Sequence, residues 1–417
     1  MKKSILTFAV LSLAGFAGAE VMDRPTGYKI GQRMTLKPYV SLSYTYDTNV
    51  DSSKREEAGS SWVVNPGFVF DYLGDNWSLR GGAYYQYHAY TRYSKSLNEN
   101  SYGENLAFNW SNVENGGPGW KLTIAENYQK ISQDDDMTNS GGRGLGRDRS
   151  QFTVSAVLER RFTENWHGNV NASYYYLDYD NDQSQYAPMY GWSRWTVGAE
   201  AGYTASKWTD YIISANYQGY TQDNEVDRGG SIGVPSSRQT DGESKGWTVQ
   251  GGIASYATER ISYRALVGWS AFKYGGGKTD NSFTYTLSAN WKMTDNWNMM
   301  LLANRYYQPS EREYSASLLA DAVSWGVGHS MIRGKLNATF DLSYRHEEHA
   351  YTAYSSNDYD EDILTARLGL NYIINRFFTV FGRVEYQTMF VNRGDTTSLN
   401  EYDYDRWRAT IGLRLTY

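Results

Sequence analysis

Four arginines near the end of the chain, Arg367, Arg383, Arg408 and Arg414, fall on the polar parity of three successive alternating segments, with Glu385 among them. A guanidinium group stays charged at any working pH. A column of such groups facing carboxylates sets up a transverse field that orients and sorts polar solutes. The same side chains also suit a plainer role, in which they hydrate a wall or pair locally with Glu385. Arg80, Arg264 and Asp341 share the polar parity elsewhere in the chain. A second meeting of acid and base lies in the stretch after residue 132, with Asp134, Asp135 and Asp136 followed by glycines and then Arg143 and Arg147. Such a loop either narrows a lumen or stays solvated outside it.

Covalent and metal chemistry find less support. Gly229, Ser231 and Gly233 spell G-x-S-x-G, but they sit in a polar loop without the strand-to-helix elbow that exposes a nucleophile. There is no cysteine, which removes thiol catalysis, disulfides, lipoprotein acylation and cysteine-held metals together. Of the five histidines, His346 and His349 are near neighbours on opposite parity, unsuited to one metal site on a single strand. Asp-Tyr-Asp triplets at 178–180, 358–360 and 403–405 stand at segment ends, where carboxylates either bind divalent cations that bridge lipopolysaccharide or are simply solvated. The first triplet imitates the start of a calcium loop, but Gln183 replaces the required glycine and Met189 the closing glutamate. No catalytic residue, metal ligand or cofactor is assigned on these grounds, and no enzymatic activity is expected.

The elements that must position the charges are strands. The last fourteen residues show why: Trp407, Ala409, Ile411, Leu413, Leu415 and Tyr417 fall on one face at period two, and Arg408, Thr410, Gly412, Arg414 and Thr416 on the other. From Thr35 to Tyr417 the chain divides into about eighteen such segments, each long enough for the about 9–11 residues that cross a hydrocarbon layer. The stretch 314–328 alternates poorly, which leaves sixteen open. Connections alternate too, with short turns such as Gly74-Asp75-Asn76 and Thr294-Asp295-Asn296 against long polar loops such as 133–148 and 224–242. At the short turns a phrase recurs, Asp or Glu, then Asn, then Trp. It places Trp77, Trp166 and Trp297, with Trp208 in a truncated version, at one height as an aromatic girdle. A soluble meander shares this turn chemistry, but a soluble sheet of this size needs a richer aliphatic core.

Composition agrees. Aromatics make up 16% of the 417 residues, with 38 tyrosines and 14 tryptophans, while mean hydropathy is only −0.64. A closed barrel with lipid-facing and water-facing residues in alternation explains both. The formal charge of −6 argues against a nucleic-acid partner. Residues 1–19 carry two lysines, an apolar run and Ala17 and Ala19 spaced for cleavage, and are expected to be a removed secretory signal. Residues 20–34 are expected to form a short periplasmic leader, with one barrel domain over 35–417.

The carboxy-terminal strand, ending on an aromatic residue, resembles the closing strand of Gram-negative outer-membrane β-barrel porins. Thr410, Gly412, Leu415 and Tyr417 match that family's insertion signal. The resemblance implies an all-β transmembrane antiparallel up-and-down barrel in the bacterial outer membrane. It implies a water-filled channel passing small hydrophilic solutes, insertion by the barrel-assembly machinery, contact with lipid and lipopolysaccharide, and a homotrimer. The alternative is a non-conducting surface barrel acting as adhesin or scaffold through its loops.

Overall fold

The computed structural model describes residues 27–50, 58–91, 99–113, 118–131, 149–179, 191–222, 243–273, 279–308, 315–351, 359–393 and 403–417. The expected signal, residues 1–19, and Asp134, Asp135, Asp136, Arg143 and Arg147 lie outside these. So do the G-x-S-x-G stretch, Asp180 and Asp358.

Among the described residues every element is a strand. They are β1 (Tyr28–Ile30), β2 (Met34–Asp47), β3 (Gly59–Leu73), β4 (Trp77–Tyr90), β5 (Glu99–Ser111), β6 (Gly119–Ile131), β7 (Arg149–Arg161), β8 (Trp166–Tyr179), β9 (Trp192–Ser206) and β10 (Thr209–Gln222). There follow β11 (Glu243–Tyr256), β12 (Ile261–Lys273), β13 (Thr279–Thr294), β14 (Trp297–Gln308), β15 (Ser315–Met331), β16 (Leu336–Tyr351), β17 (Tyr359–Ile373), β18 (Phe378–Arg393) and β19 (Tyr404–Thr416). Each of β2 to β19 pairs antiparallel with the next, and β19 returns to pair with β2 from Arg408↔Asp47 to Thr416↔Tyr39. The result is a closed ring of eighteen strands, so the sixteen-strand alternative falls. Closure leaves no free edge strand, and the ladders pair strand amides without water.

The doubtful segment is β15, seventeen residues long and continuing to Met331, three residues past its expected end. Its turn into β16 carries Ile332, Arg333 and Gly334 with φ of 52°, 54° and 82°. It turns with left-handed backbone, whereas the turns at Thr163, Thr258, Thr294 and Asn375 close with side-chain oxygens that accept backbone amides and carry no left-handed non-glycine residue. Within the expected leader, Tyr28–Ile30 pairs with Met34–Leu36, and the Tyr28 ring stacks 4.0 Å from that of Tyr417.

Facing follows parity. Val40, Leu42, Val170, Val197, Ile213, Val267, Phe283, Leu301, Leu368, Ile411 and Leu413 are exposed on the outer surface as an apolar belt. Among the described residues no helix is long and apolar enough to cross a membrane. The belt does what such a helix would do, because outward and inward residues alternate along each strand. Trp77, Trp166, Trp208 and Trp297 all stand at the short-turn end, where Trp77 stacks 4.9 Å from Tyr72 and Trp297 4.0 Å from His329.

Candidate functional site

The lumen is open along β2 to β4 and toward the short turns of β11 to β19, and crowded toward the long loops of β8 to β14 and β17 to β19. A cavity of about 1870 Å³ runs along the inner faces of β2 to β4 and β14 to β19. Ser41, Thr45, Asn65, Gln86, Asn337 and Thr339 give it a polar lining, and Arg80, Asp341, Arg367, Arg383, Glu385, Arg408 and Arg414 give it charge. Arg264 lies elsewhere: from β12 it reaches past two strands to Glu200 of β9, its Nη1 donating to Oε1 at 3.1 Å.

Register explains the order of the charges on the cavity wall. Asp341 lies directly opposite Arg367, Arg367 opposite Glu385, Glu385 opposite Arg408, and Arg408 opposite Asp47. Five consecutive strands therefore contribute one residue each to a single row of alternating sign. Arg367 Nε donates to Glu385 at 2.7 Å, and Arg408 Nε to Asp47 at 3.2 Å. Asp47 also accepts from the buried Arg406, whose Nε lies 2.8 Å away. Opposite charges directly across a ladder attract, and partial burial weakens the competition from water and salt.

Toward the short turns the balance changes. Arg383 sits between Gly369 and Thr410, and Arg414 between Thr379 and Ser41. Among the described residues neither has a carboxylate within 4.0 Å. Arg414 instead lies over the rings of Tyr39 and Phe381, at 5.3 and 5.7 Å. Ion pairs thus tie Arg367 to Glu385 and Arg408 to Asp47 within the row, while Arg383 and Arg414 face the cavity below it without a direct carboxylate contact among the described residues. Asp71 joins Arg80 at 2.9 Å and Lys37 at 3.6 Å nearer the rim.

The closing strand serves this wall. Thr410 and Thr45 hydroxyls meet at 2.9 Å across the seam where the last strand joins the first of the ring. At Gly412 a Cβ would stand 2.7 Å from the Ser43 Cβ and would strike the Phe381 ring, so only glycine lets that ring lie flat against the wall. Leu415 and Tyr417 are exposed on the outer face.

Toward the long loops the lumen is filled. Leu177, Trp192, Tyr220 and Phe272, from β8, β9, β10 and β12, form one buried cluster, which Tyr307 of β14, on the parity of the outward Leu301, joins where β13 and β14 part. Phe272 and Tyr307 stack at 5.5 Å, and the Tyr220 hydroxyl donates to the Tyr307 carbonyl at 3.0 Å although β10 and β14 are four strands apart. Arg194 lies 5.8 Å from the Trp192 ring and 6.0 Å from that of Tyr220. The sheet yields to allow this: β13 and β14 are paired over Thr286–Trp291 and Met299–Asn304, then part, and the Thr284 hydroxyl donates to the Arg305 carbonyl at 2.6 Å in place of the ladder. Ile363, Met389, Val391 and Tyr404 make a second apolar cluster toward the long loops, whereas Ile212, Ala254 and Leu266 make a third in the short-turn half of β10 to β12.

The composition-based expectation of water on every inward position therefore holds along the cavity and not at the three apolar clusters. Inward aliphatics were invisible because parity assigns a face and not what that face meets. Sequence reasoning also missed Glu200, Asp47 and Arg406. Their signal was present as charged residues on inward parity, but their partners depend on register across the seam or on strands three apart. Equally unread was a buried group at the long-loop end, where Glu347, His349 and Glu361 bring three ligand atoms within 4.8 Å of one another. The Glu-x-His spacing on one parity was its visible half.

Comparison with known proteins gives the family. No curated protein matches the chain. Similar solved structures include the siderophore receptor PirA from Acinetobacter baumannii, with 9% identity, 94% of this chain and 81% of that one covered, and a TM-score of 0.45. Another is the FrpB iron transporter from Neisseria meningitidis, F3-3 variant, with 9% identity, coverage of 91% and 81%, and a TM-score of 0.42. The family model described as "Putative beta-barrel porin 2" matches residues 202–417, just over half of the chain, from the end of β9 through the charged row to the closing strand. With the ring closed, its apolar belt outward and more than half its length matched, the chain is an outer-membrane β-barrel and belongs to the "Putative beta-barrel porin 2" family.

Proposed function

We propose that this barrel is a porin that lets small hydrophilic solutes diffuse passively across the outer membrane. The observation that carries the reading is the cavity of about 1870 Å³ enclosed by the ring and lined by the alternating row Asp341, Arg367, Glu385, Arg408 and Asp47. Eighteen strands enclose more space than side chains fill, and charges in register across a lumen wall orient dipolar solutes without binding them tightly. Arg383 and Arg414 add positive potential below the row, which favours anions over cations in that part of the path. The crowded long-loop end then sets the size limit. No group in the cavity is assigned a catalytic step. The exposed outer belt meets lipid, and Thr410, Gly412, Leu415 and Tyr417 are the residues that the barrel-assembly machinery would read.

Planar-bilayer recording on the refolded full chain tests this. Discrete conductance steps with a reversal potential displaced toward anions are the expected result. Silence from barrel that is correctly folded, judged by its heat-modifiable migration, would overturn it and favour a surface barrel acting through its loops.

A further inference from the structure

Glu347 and His349 project inward from β16 at consecutive same-face positions, and Glu361 lies directly opposite Glu347 on β17. All three are buried, with side chains 0%, 1% and 0% exposed. Two carboxylates converge on one ring nitrogen: His349 Nε2 is 3.2 Å from Glu347 Oε2 and 3.7 Å from Glu361 Oε2. A single Nε2–H can be donated to only one of them at a time. Two carboxylates side by side away from water also repel each other strongly. Arg345 meets this in part, its Nε lying 2.8 Å from Glu347 Oε1, the oxygen turned away from His349.

We infer that Glu347, His349 and Glu361 form a binding site for a divalent transition-metal ion, of the Zn²⁺ or Mn²⁺ class. The proposal stands apart from the permeation reading. Metal–nitrogen and metal–oxygen bonds of about 2.0–2.2 Å put neighbouring ligand atoms roughly 3–3.5 Å apart, close to the separations already present around Nε2. One imidazole with two carboxylates suits borderline divalent ions better than Ca²⁺, which asks for six to eight oxygens, or Cu⁺, which prefers sulfur. A bound dication replaces the contested proton on Nε2 and neutralises both carboxylates at once. Arg345 holds the outer oxygen of Glu347, the kind of support that orients a ligating carboxylate. Three protein ligands leave a coordination position for water or for a passing solute. Because β16 and β17 each supply a ligand, a metal here would also clamp their long-loop ends together.

The test uses the refolded full chain in detergent, stripped with chelator and titrated with Zn²⁺, Mn²⁺ or Co²⁺ alone. One equivalent is expected to bind to wild type, with affinity lowered at least about tenfold in H349Q and in E361Q. Co²⁺ should give visible d–d absorption that both substitutions abolish, and heat-modifiable migration shows that the variants are folded. X-ray absorption of the Zn²⁺-loaded wild type should show one imidazole among oxygen ligands, and this readout needs no variant. No uptake by folded wild type, uptake unchanged in both variants, or a Zn²⁺ shell without imidazole would each overturn the site. Loss of conductance with metal binding intact would count against the porin reading alone.

Discussion

The two ends of the lumen are built from the same alternating strands and behave as different materials. Around the open space, inward positions hold Thr339 and Arg383 toward the short turns and Ser41 and Arg367 at mid-height. At the long-loop end, inward positions hold Leu177, Tyr220, Phe272 and Met389, packed as a soluble protein packs its core. An eighteen-strand ring is wide enough to stay empty, so filling one end needs wall movement as well as large residues. The parting of β13 from β14 supplies it, bringing the Tyr307 carbonyl to the Tyr220 hydroxyl. Alternation thus decides which residues look inward, while local departures from the ladder decide whether they meet water or each other.

The heaviest blow to this division should fall on its boundary. Asp47 holds both Arg406 and Arg408, and Asp47→Asn would take from the nearly inaccessible Arg406 guanidinium the carboxylate charge it shares with Arg408. Breaking a buried pair from one side costs about 3–5 kcal/mol, so the denaturant midpoint for unfolding from lipid vesicles should drop accordingly. An unchanged midpoint would mean that the row does not tie the seam. Phe272→Ala with Tyr307→Ala should convert the packed end toward the open one. Single-channel conductance is expected to rise by about twofold or more as the narrow stretch widens. The inner end should respond in the opposite manner: Arg383→Gln with Arg414→Gln should move the reversal potential toward cations while stability stays within about 0.5 kcal/mol. Arg408→Gln should move the reversal potential less, because its charge is already met by Asp47. The smallest effect concerns the turn after β15. Ile332→Asn should stabilise the barrel by roughly 1 kcal/mol, since asparagine accepts the left-handed backbone that a branched side chain resists.

Much of this was legible beforehand. The period-two pattern, the Asn-Trp turns and the unequal connections suffice for the closed ring and its facing. The end of β15 was not, because Ile332-Arg333-Gly334 makes its turn without an Asn or Asp to announce it. Within the lumen, parity located Arg367, Glu385 and Arg408 but could not order them. Their alternation with Asp341 and Asp47 depends on the register of four separate strand pairs. The crowding by Phe272 and Tyr307 was illegible for a related reason, since it arises where a ladder stops, and nothing in either strand's own residues says so.

The bond between Arg406 and Asp47 joins positions 359 residues apart. It cannot form until every hairpin between them has been laid down, so it reports completion of the whole ring. Until then the first strand keeps one side bare, with hydrogen-bonding groups any stray strand could borrow. A latch of opposite charges rewards the chain's own tail over a neutral intruder, and it does so at the one joint that no local turn can secure.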